Sequence, residues 1–448
     1  MKVLLVAVNR LTFPSPVYPI GIDFVVGALR DRHDVHVLDL CATQDPDALV
    51  RCLRELEPEV VGISIRNIDN SEADRSCGFV NELATAVNLV RQNSHARVLL
   101  GGGGFSIFPY ELMKRLNADF GIVGEGERLG GLLDALERGQ PTDRIPGVVV
   151  REQAPKRPEP WPGPYTRVLS RGTVVDHYVR DGGVLNEQTK RGCQYRCIYC
   201  TYPSIEGRRL RLFEPRAVAR EWVELQQAGA KFLFVADAAF NAHVSHNLMV
   251  AQEVSRVGSH IPWGAFFAPL RPPATYYQRL ASAGLSHVEF GTESLSTRML
   301  QTYRKPFLRE HVLQAHHAAR SEGLHVAHYF LLGGPGESRE TVTETLDGCE
   351  QLNDAALFFF CGVRIYPGTS LHELAVHEGQ VGPDQDLLEP VFYKPTGITT
   401  EQISQFVRER AGDRAHWVIG SGDETMWRMA ARLRQLGVTG PLWERIIP

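Results

Sequence analysis

Lys190-Arg-Gly-Cys193-Gln-Tyr-Arg-Cys197-Ile-Tyr199-Cys200-Thr-Tyr-Pro203 follows directly on a β-type run, Leu185–Thr189, and places three cysteines within eight residues at C-x3-C-x2-C spacing. Clustered cysteines in a chain with only eight of them point to metal rather than to a disulfide framework. An iron–sulfur cluster takes four thiolates as a rule, so three leave one iron without a protein ligand and open to a small molecule. Zinc is the alternative, but it wants a closed set of four nitrogen or sulfur ligands, and neither a second C-x2-C nor paired histidines stand nearby in the chain. Three buried thiols with no ligand are the remaining reading.

Working outward toward the C-terminus, strand-like runs alternate with helical patterns. They are Phe232–Ala236, Trp263–Ala268, His287–Gly291, His325–Leu332 and Leu357–Ile365. With Leu185–Thr189 they make six, which predicts a partial (β/α)6 barrel over 184–388, with its chemistry at the C-terminal strand ends. Those ends carry Ala236-Asp237-Ala-Ala-Phe-Asn241, Gly291-Thr-Glu293-Ser294, Gly333-Gly334-Pro335-Gly336-Glu337 and Arg364-Ile-Tyr366-Pro367. Acidic, hydroxyl and glycine groups gathered at one mouth suit a zwitterionic, ribose-bearing ligand. Each one alone also reads as a helix cap or a tight turn.

Working outward toward the N-terminus, residues 1–150 alternate short β-branched runs with amphipathic stretches. The runs are Lys2–Val8, Val35–Leu40, Val60–Ile65, Arg97–Leu100 and Phe120–Val123, and Leu49, Leu53 and Leu56 recur at helical spacing. This predicts a Rossmann-like, doubly wound α/β domain whose ligand sits beyond the strand C-termini. Prolines at 155, 158, 160, 162 and 164 deny Arg151–Arg167 regular pairing, so 151–183 reads as a linker. Residues 389–448 read as a small α-helical region, with Ile403–Arg410 and Thr425–Leu436 as its clearest helices.

Over roughly residues 184–385 these motifs resemble the radical S-adenosylmethionine (SAM) superfamily, down to the aromatic Tyr199 before the third cysteine. The resemblance implies a [4Fe–4S] cluster on Cys193, Cys197 and Cys200, with the methionine end of SAM chelating the fourth iron. It implies SAM contacts from Tyr199, from Asp237 at the amino end, from Glu293 and Ser294, from Gly333 and Gly334 in the glycine turn, and from Arg364. The N-terminal domain is similar to the cobalamin-binding domain of one subgroup. Pro14-Ser-Pro-Val-Tyr18-Pro19-Ile-Gly21 resembles that subgroup's proline–tyrosine turn, which implies corrinoid contacts from Tyr18, Pro19 and Gly21. Ser64, Arg66, Asn67, Gly102, Gly103, Gly104, Gly124, Glu125 and Gly126 complete the implied set. The D-x-H-x-x-G motif that supplies a cobalt-ligating histidine elsewhere is absent, since Asp34-Val-His36 lacks the glycine; cobalamin would then sit without a protein histidine, with Arg66 toward its lower face.

Methyl transfer to carbon on a small molecule, or on a natural-product or lipid intermediate, is the function this resemblance implies. Cyclisation or rearrangement with the same cofactors stays open, as does a methylthiotransferase, for which Cys41, Cys52 and Cys77 would hold a second cluster; Cys52, however, falls in a helical run. A corrinoid carrier or sensor is the non-enzyme alternative, and it would have no need of the cysteine loop. A flavodoxin- or ferredoxin-like protein would supply electrons.

A net charge of −4 and no dense basic run argue against nucleic acid. The apolar run MKVLLVAV is interrupted at Asn9 and Arg10, too early for a signal core or a membrane span, and a cytoplasmic protein is expected.

Overall fold

The computed structural model describes residues 1–12, 16–43, 45–151 and 158–448. Pro14 and Ser15 of the proline–tyrosine turn and Pro155 of the proline-rich stretch lie outside the described residues. Two compact units are present: Met1–Asn70 with Cys77–Arg180 and Thr201–Arg209, and Ser71–Ser76 with Asp181–Cys200 and Leu210–Pro448.

The first unit is a six-stranded sheet of β1 (Lys2–Ala7), β2 (Asp34–Asp39), β3 (Val60–Ser64), β4 (Arg97–Gly101), β5 (Phe120–Ile122) and β6 (Val148–Val150), in the order β2-β1-β3-β4-β5-β6. The first five are parallel, as the alternation of strand and helix requires. Val3, Leu5 and Ala7 pack with Ile22, Leu29 and Leu132 on one face. The alternate residues Leu4 and Val6 are buried as completely on the other, which is why β1 reads as a continuous apolar run. β6 was not expected; three valines are too short to show a period, and β6 pairs antiparallel with β5 at the sheet edge.

The second unit opens with β7 (Val184–Glu187). A small antiparallel ladder of β8 (Lys190–Arg191) and β9 (Arg211–Leu212) follows, then β10 (Phe232–Val235), β11 (Trp263–Phe267), β12 (Leu285–Glu293), β13 (His325–Leu332), β14 (Ala355–Cys361) and β15 (Trp417–Ile419). Its main sheet is parallel throughout and runs β15-β14-β13-β12-β11-β10-β7, with no ladder closing β7 onto β15. It holds the six expected strands plus a seventh, β15, because the C-terminal region is not helical throughout: the helices Thr400–Ala411 and Glu424–Gln435 flank a three-residue strand that extends the sheet. Among the described residues no helix is long and apolar enough to cross a membrane.

Alternation along these strands divides two sets of side chains. Phe267, Phe290, His328, Phe330 and Phe359 are buried on one face. On the opposite face lie Phe234, Phe266, Glu289, Tyr329 and Phe358, with ring contacts of 5.0 Å for Phe234–Phe266, 6.0 Å for Phe266–Tyr329 and 5.0 Å for Tyr329–Phe358. Phe266 is 40 % exposed, so this aromatic face is open at one point.

His328 is fully buried. It bonds Thr292 Oγ1 at 2.8 Å and His316 Nδ1, from the helix Arg309–Ser321, at 3.1 Å. Burial, then the neighbouring His317 and Arg320, push His316 down to about 4; burial, then His316, hold His328 well below the ordinary histidine value of 6.5. Below 6.5 the unfolded chain therefore binds more protons than the folded one, and stability falls with pH until the folded-state values are reached. We expect resistance to urea to drop by about 2 kcal/mol between roughly pH 7 and pH 5. His316→Gln should flatten that slope; equal slopes in the two proteins would exclude this pair as its source.

Candidate functional site

The cysteine loop leaves the second unit's sheet under tight control. Asp237, just past β10 and 1 % exposed, accepts hydrogen bonds from Thr189 N (2.8 Å), Thr189 Oγ1 (2.6 Å), Lys190 N (3.2 Å) and Lys190 Nζ (2.6 Å). Lys190 Nζ also reaches the Phe240 carbonyl at 2.7 Å. β8 then pairs with β9, and Gly192 turns the chain with φ +90°, where a side chain would be strained. Farther along, Ile198 is clipped by its backbone, its N–H donating to Tyr303 O (3.3 Å) and its carbonyl accepting from Leu371 N (2.9 Å). The three cysteines hang on this frame outside any disulfide, Cys193 buried and Cys197 and Cys200 half-buried.

Beside them lies a group the sequence disclosed only in part. The Tyr199 hydroxyl donates to Glu293 Oε1 at 2.8 Å, Lys305 Nζ pairs with Glu293 Oε2 at 2.8 Å, and the same ammonium donates to Tyr199 Oη at 3.3 Å. Glu293 ends β12 at φ +58°, after a register shift between Gly291 and Glu293. A left-handed carboxylate residue on an irregular strand end costs on the order of 1–3 kcal/mol, and such strain gathers at functional sites. Burial would pull the Lys305 ammonium down, but Glu293 and then Cys197 outweigh it and hold it above its ordinary value. Burial, then Glu293, hold the Tyr199 phenol well above 10, so it stays a donor. Burial also raises the Cys197 thiol, with Lys305 opposing. No motif flags Lys305; a lysine before Pro306 looks like a surface residue until the fold buries it.

Several expected SAM contacts spend their polar atoms inside the protein. Asp237 carries the four bonds above, so it supports the cysteine loop rather than facing a ligand. Ser294 Oγ meets Thr345 Oγ1 at 2.8 Å and accepts from Ser296 N at 3.0 Å. Arg364, 4 % exposed, donates to the carbonyls of Ile365 (2.7 Å), Leu387 (2.6 Å) and Val391 (3.4 Å) and so fixes the segment after β14. In the glycine turn Gly333 N donates to Glu337 Oε2 at 2.9 Å and Gly334 N to Tyr303 Oη at 3.2 Å. A Cβ on Gly334 would sit 2.3 Å from the Tyr303 ring, so protein packing alone already demands that glycine.

In the first unit the candidate corrinoid contacts fall beyond the C-terminal ends of β1, β3, β4 and β5, where a doubly wound sheet binds its ligand. Tyr18 is an exception, 1 % exposed, with its hydroxyl donating to Asp23 at 2.8 Å; Asp23 in turn pairs with Arg167 at 3.0 Å. It locks the unit's own interior. Gly102, at φ +97°, would bring a Cβ within 2.5 Å of the Ile65 carbonyl, whereas a Cβ on the exposed Gly21 meets nothing within 4 Å. Glu125 is buried and accepts from Trp161 N at 3.2 Å. Pro19, Ser64, Gly103, Gly124 and Gly126 are half-buried, Gly104 is buried and Asn67 is exposed. Arg66 is half-buried, and its Nε has no hydrogen-bond partner among the described residues. Burial pushes Arg66 below its ordinary value, with Tyr178, Cys41 and Asp39 opposing.

These donor sets fit the groups the motifs imply. Three cysteines on one braced loop suit an iron–sulfur cluster, and an unsatisfied guanidinium nitrogen beyond β3 suits a polar ligand over the sheet's C-terminal edge. Of the methylthiotransferase cysteines, Cys52 stands in the helix Ala48–Leu56, Cys41 follows β2 with its Sγ 3.8 Å from His177 Nε2, and Cys77 is exposed.

Comparison with known proteins agrees with this division. The B12 binding domain family matches residues 6–132 and the radical SAM superfamily matches residues 188–349. An uncharacterized methyltransferase of Pyrococcus horikoshii is 27% identical, over 91% of this chain and 91% of its own. Tryptophan 2-C-methyltransferase of Streptomyces laurentii is 25% identical, over 80% of this chain and 72% of its own. The structure of the radical SAM methyltransferase TsrM from Kitasatospora setae, with tryptophan substrate and a SAM analogue bound, shares the fold at a TM-score of 0.88 and 23% identity, covering 99% of this chain and 97% of that one.

Proposed function

Because this chain belongs to the cobalamin-binding radical SAM family, we propose that it is a cobalamin-dependent C-methyltransferase acting on a small molecule. The observation that carries the proposal is a braced loop of three cysteines in the same chain as a B12-binding sheet. When bound, the cofactors supply methyl carriage and one-electron chemistry at SAM. Cys193, Cys197 and Cys200 would hold the [4Fe–4S] cluster. Tyr199, Glu293, Gly333 and Gly334 would contact SAM, with Lys305 holding the Glu293 carboxyl group in place. Pro19, Gly21, Ser64, Arg66, Asn67, Gly102, Gly103, Gly104, Gly124 and Gly126 would line the corrinoid. Domain limits at 1–150, 184–388 and 389–448, with 151–183 between the first two, belong to the same proposal.

The aromatic face of Phe234, Phe266, Tyr329 and Phe358 would take a flat apolar substrate and exclude water from it. An aromatic amino acid or a natural product derived from one fits that face, as does the tryptophan substrate of the relative and of the structural neighbour. A flavodoxin- or ferredoxin-like donor would reduce the cluster.

The test uses anaerobically reconstituted, corrinoid-loaded protein, methyl-labelled SAM and a panel of such substrates. Label should pass to carbon, with S-adenosylhomocysteine and 5′-deoxyadenosine formed in about equal amounts if hydrogen abstraction comes first. Adenosylhomocysteine alone, with methylated product, indicates transfer without an adenosyl radical. Deoxyadenosine alone, with an unmethylated product, or a protein that retains no corrinoid, would overturn the proposal.

A further inference from the structure

At the end of the second unit's sheet opposite the cysteine loop, two histidines and a carboxylate converge. β12 and β13 pair His287 directly with His325, so both imidazoles leave the same face, and their rings stack at 4.8 Å and 28°. The turn Leu442–Ile446 lays Glu444 Oε2 across them, 3.1 Å from His287 Nε2 and 3.7 Å from His325 Nε2. We propose that His287, His325 and Glu444 form a site for a divalent transition-metal ion of the zinc class.

The convergence of the three donor groups carries the argument. His287 Nε2 faces Glu444 Oε2 at 3.1 Å, and His325 Nε2 lies 3.7 Å from the same oxygen, so a single ion can reach all three side chains. Ser286 Oγ, 2.8 Å from His287 Nδ1 and 3.2 Å from the Trp263 carbonyl, engages the ring's other nitrogen. The ring is 5 % exposed, stacked on His325 and flanked by Phe232 at 5.0 Å and Trp443 at 5.1 Å, so packing holds Nε2 toward Glu444.

The surroundings match what a metal site needs. A hydrogen bond at Nδ1 orients a ligating imidazole, and Arg445 Nε, 3.1 Å from Glu444 Oε1, holds the carboxylate's other oxygen. Trp443 Nε1 donates to Glu289 Oε1 at 3.0 Å, and Ile446 packs with Ala327, Ala356 and Val418, so the turn bearing Glu444 is seated without the ion. The three ligand atoms lie within 4.8 Å of one another. Ligands of a tetrahedral zinc stand about 3.3 Å apart, so seating the ion asks for side-chain shifts of about an ångström. The His325 side chain is 43 % exposed, which leaves an open position for water and a path for entry. Two imidazoles with one carboxylate suit zinc or iron(II) rather than calcium or magnesium.

The test equilibrates cluster-loaded holoenzyme with zinc alone, desalts it, and measures zinc per chain together with the zinc K-edge absorption. Stoichiometric zinc with only nitrogen and oxygen neighbours, at about 2.0–2.2 Å, is expected. His325→Ala and Glu444→Gln should each weaken binding by at least about tenfold while iron and sulfide stay unchanged, which shows that the fold and the cysteine loop are intact. Zinc that does not stay with the wild-type protein, zinc with sulfur neighbours at about 2.3 Å, or equal affinity in His325→Ala would each overturn the proposal.

Discussion

Cys193→Ala, Cys197→Ala and Cys200→Ala combined are expected to leave an anaerobically reconstituted protein with no iron and no sulfide while its corrinoid stays bound. The cysteines would supply the thiolates on a loop whose shape does not depend on them. Asp237 ties its start, β8 pairs with β9, and Ile198 is clipped to Tyr303 and Leu371. Removing three sulfur atoms therefore removes the ligands and spares the frame. Burial raises the Cys197 thiol, so its ionisation would be driven by the cluster it binds. The residues that would line the corrinoid lie in a different compact unit, which is why visible absorption from cobalt should survive. Iron and sulfide remaining near the wild-type level in the triple variant would show that the cluster lies elsewhere.

Asp237→Leu is expected to cost more than a ligand contact would. The Lys190 and Asp237 side chains are 2% and 0% exposed, and the substitution strands a buried ammonium while freeing two backbone N–H groups. Breaking a buried pair in this way costs about 3–5 kcal/mol. Thermal unfolding should move down by several degrees, and cluster content should fall with it because Thr189 and Lys190 lead straight into the cysteine loop. Lys190→Met combined with Asp237→Leu should recover much of the loss, since the stranded charge is then gone. Asp237→Leu with unchanged stability and cluster content but weaker SAM binding would return this residue to the role its strand-end position suggests.

Asp237 shows where the sequence stops being informative. Its place after a strand was legible, because parallel strands buried on both faces read as continuous apolar runs ended by polar residues. Its partners were not, because Thr189 and Lys190 lie 48 and 47 residues away and meet it only when β7 and β10 pair. The partners of Tyr18 and Arg364 were hidden for the same reason: a polar side chain at a strand end looks alike whether it faces a ligand or closes an internal hydrogen bond.

By itself the sequence determined the α/β plan and the six core strands of the second unit, and it marked the three cysteines, since all of these rest on local period and spacing. The tertiary structure alone decided the rest. β15 is three residues long and is a strand only because β14 offers it an edge. Lys305 becomes part of the site only because the fold buries it against Glu293 and Tyr199. Glu444, more than a hundred residues from His325, meets the two histidines only because the C-terminal turn packs against the start of the sheet. Burial and long-range pairing are properties of the packed chain, and no local window of residues encodes them.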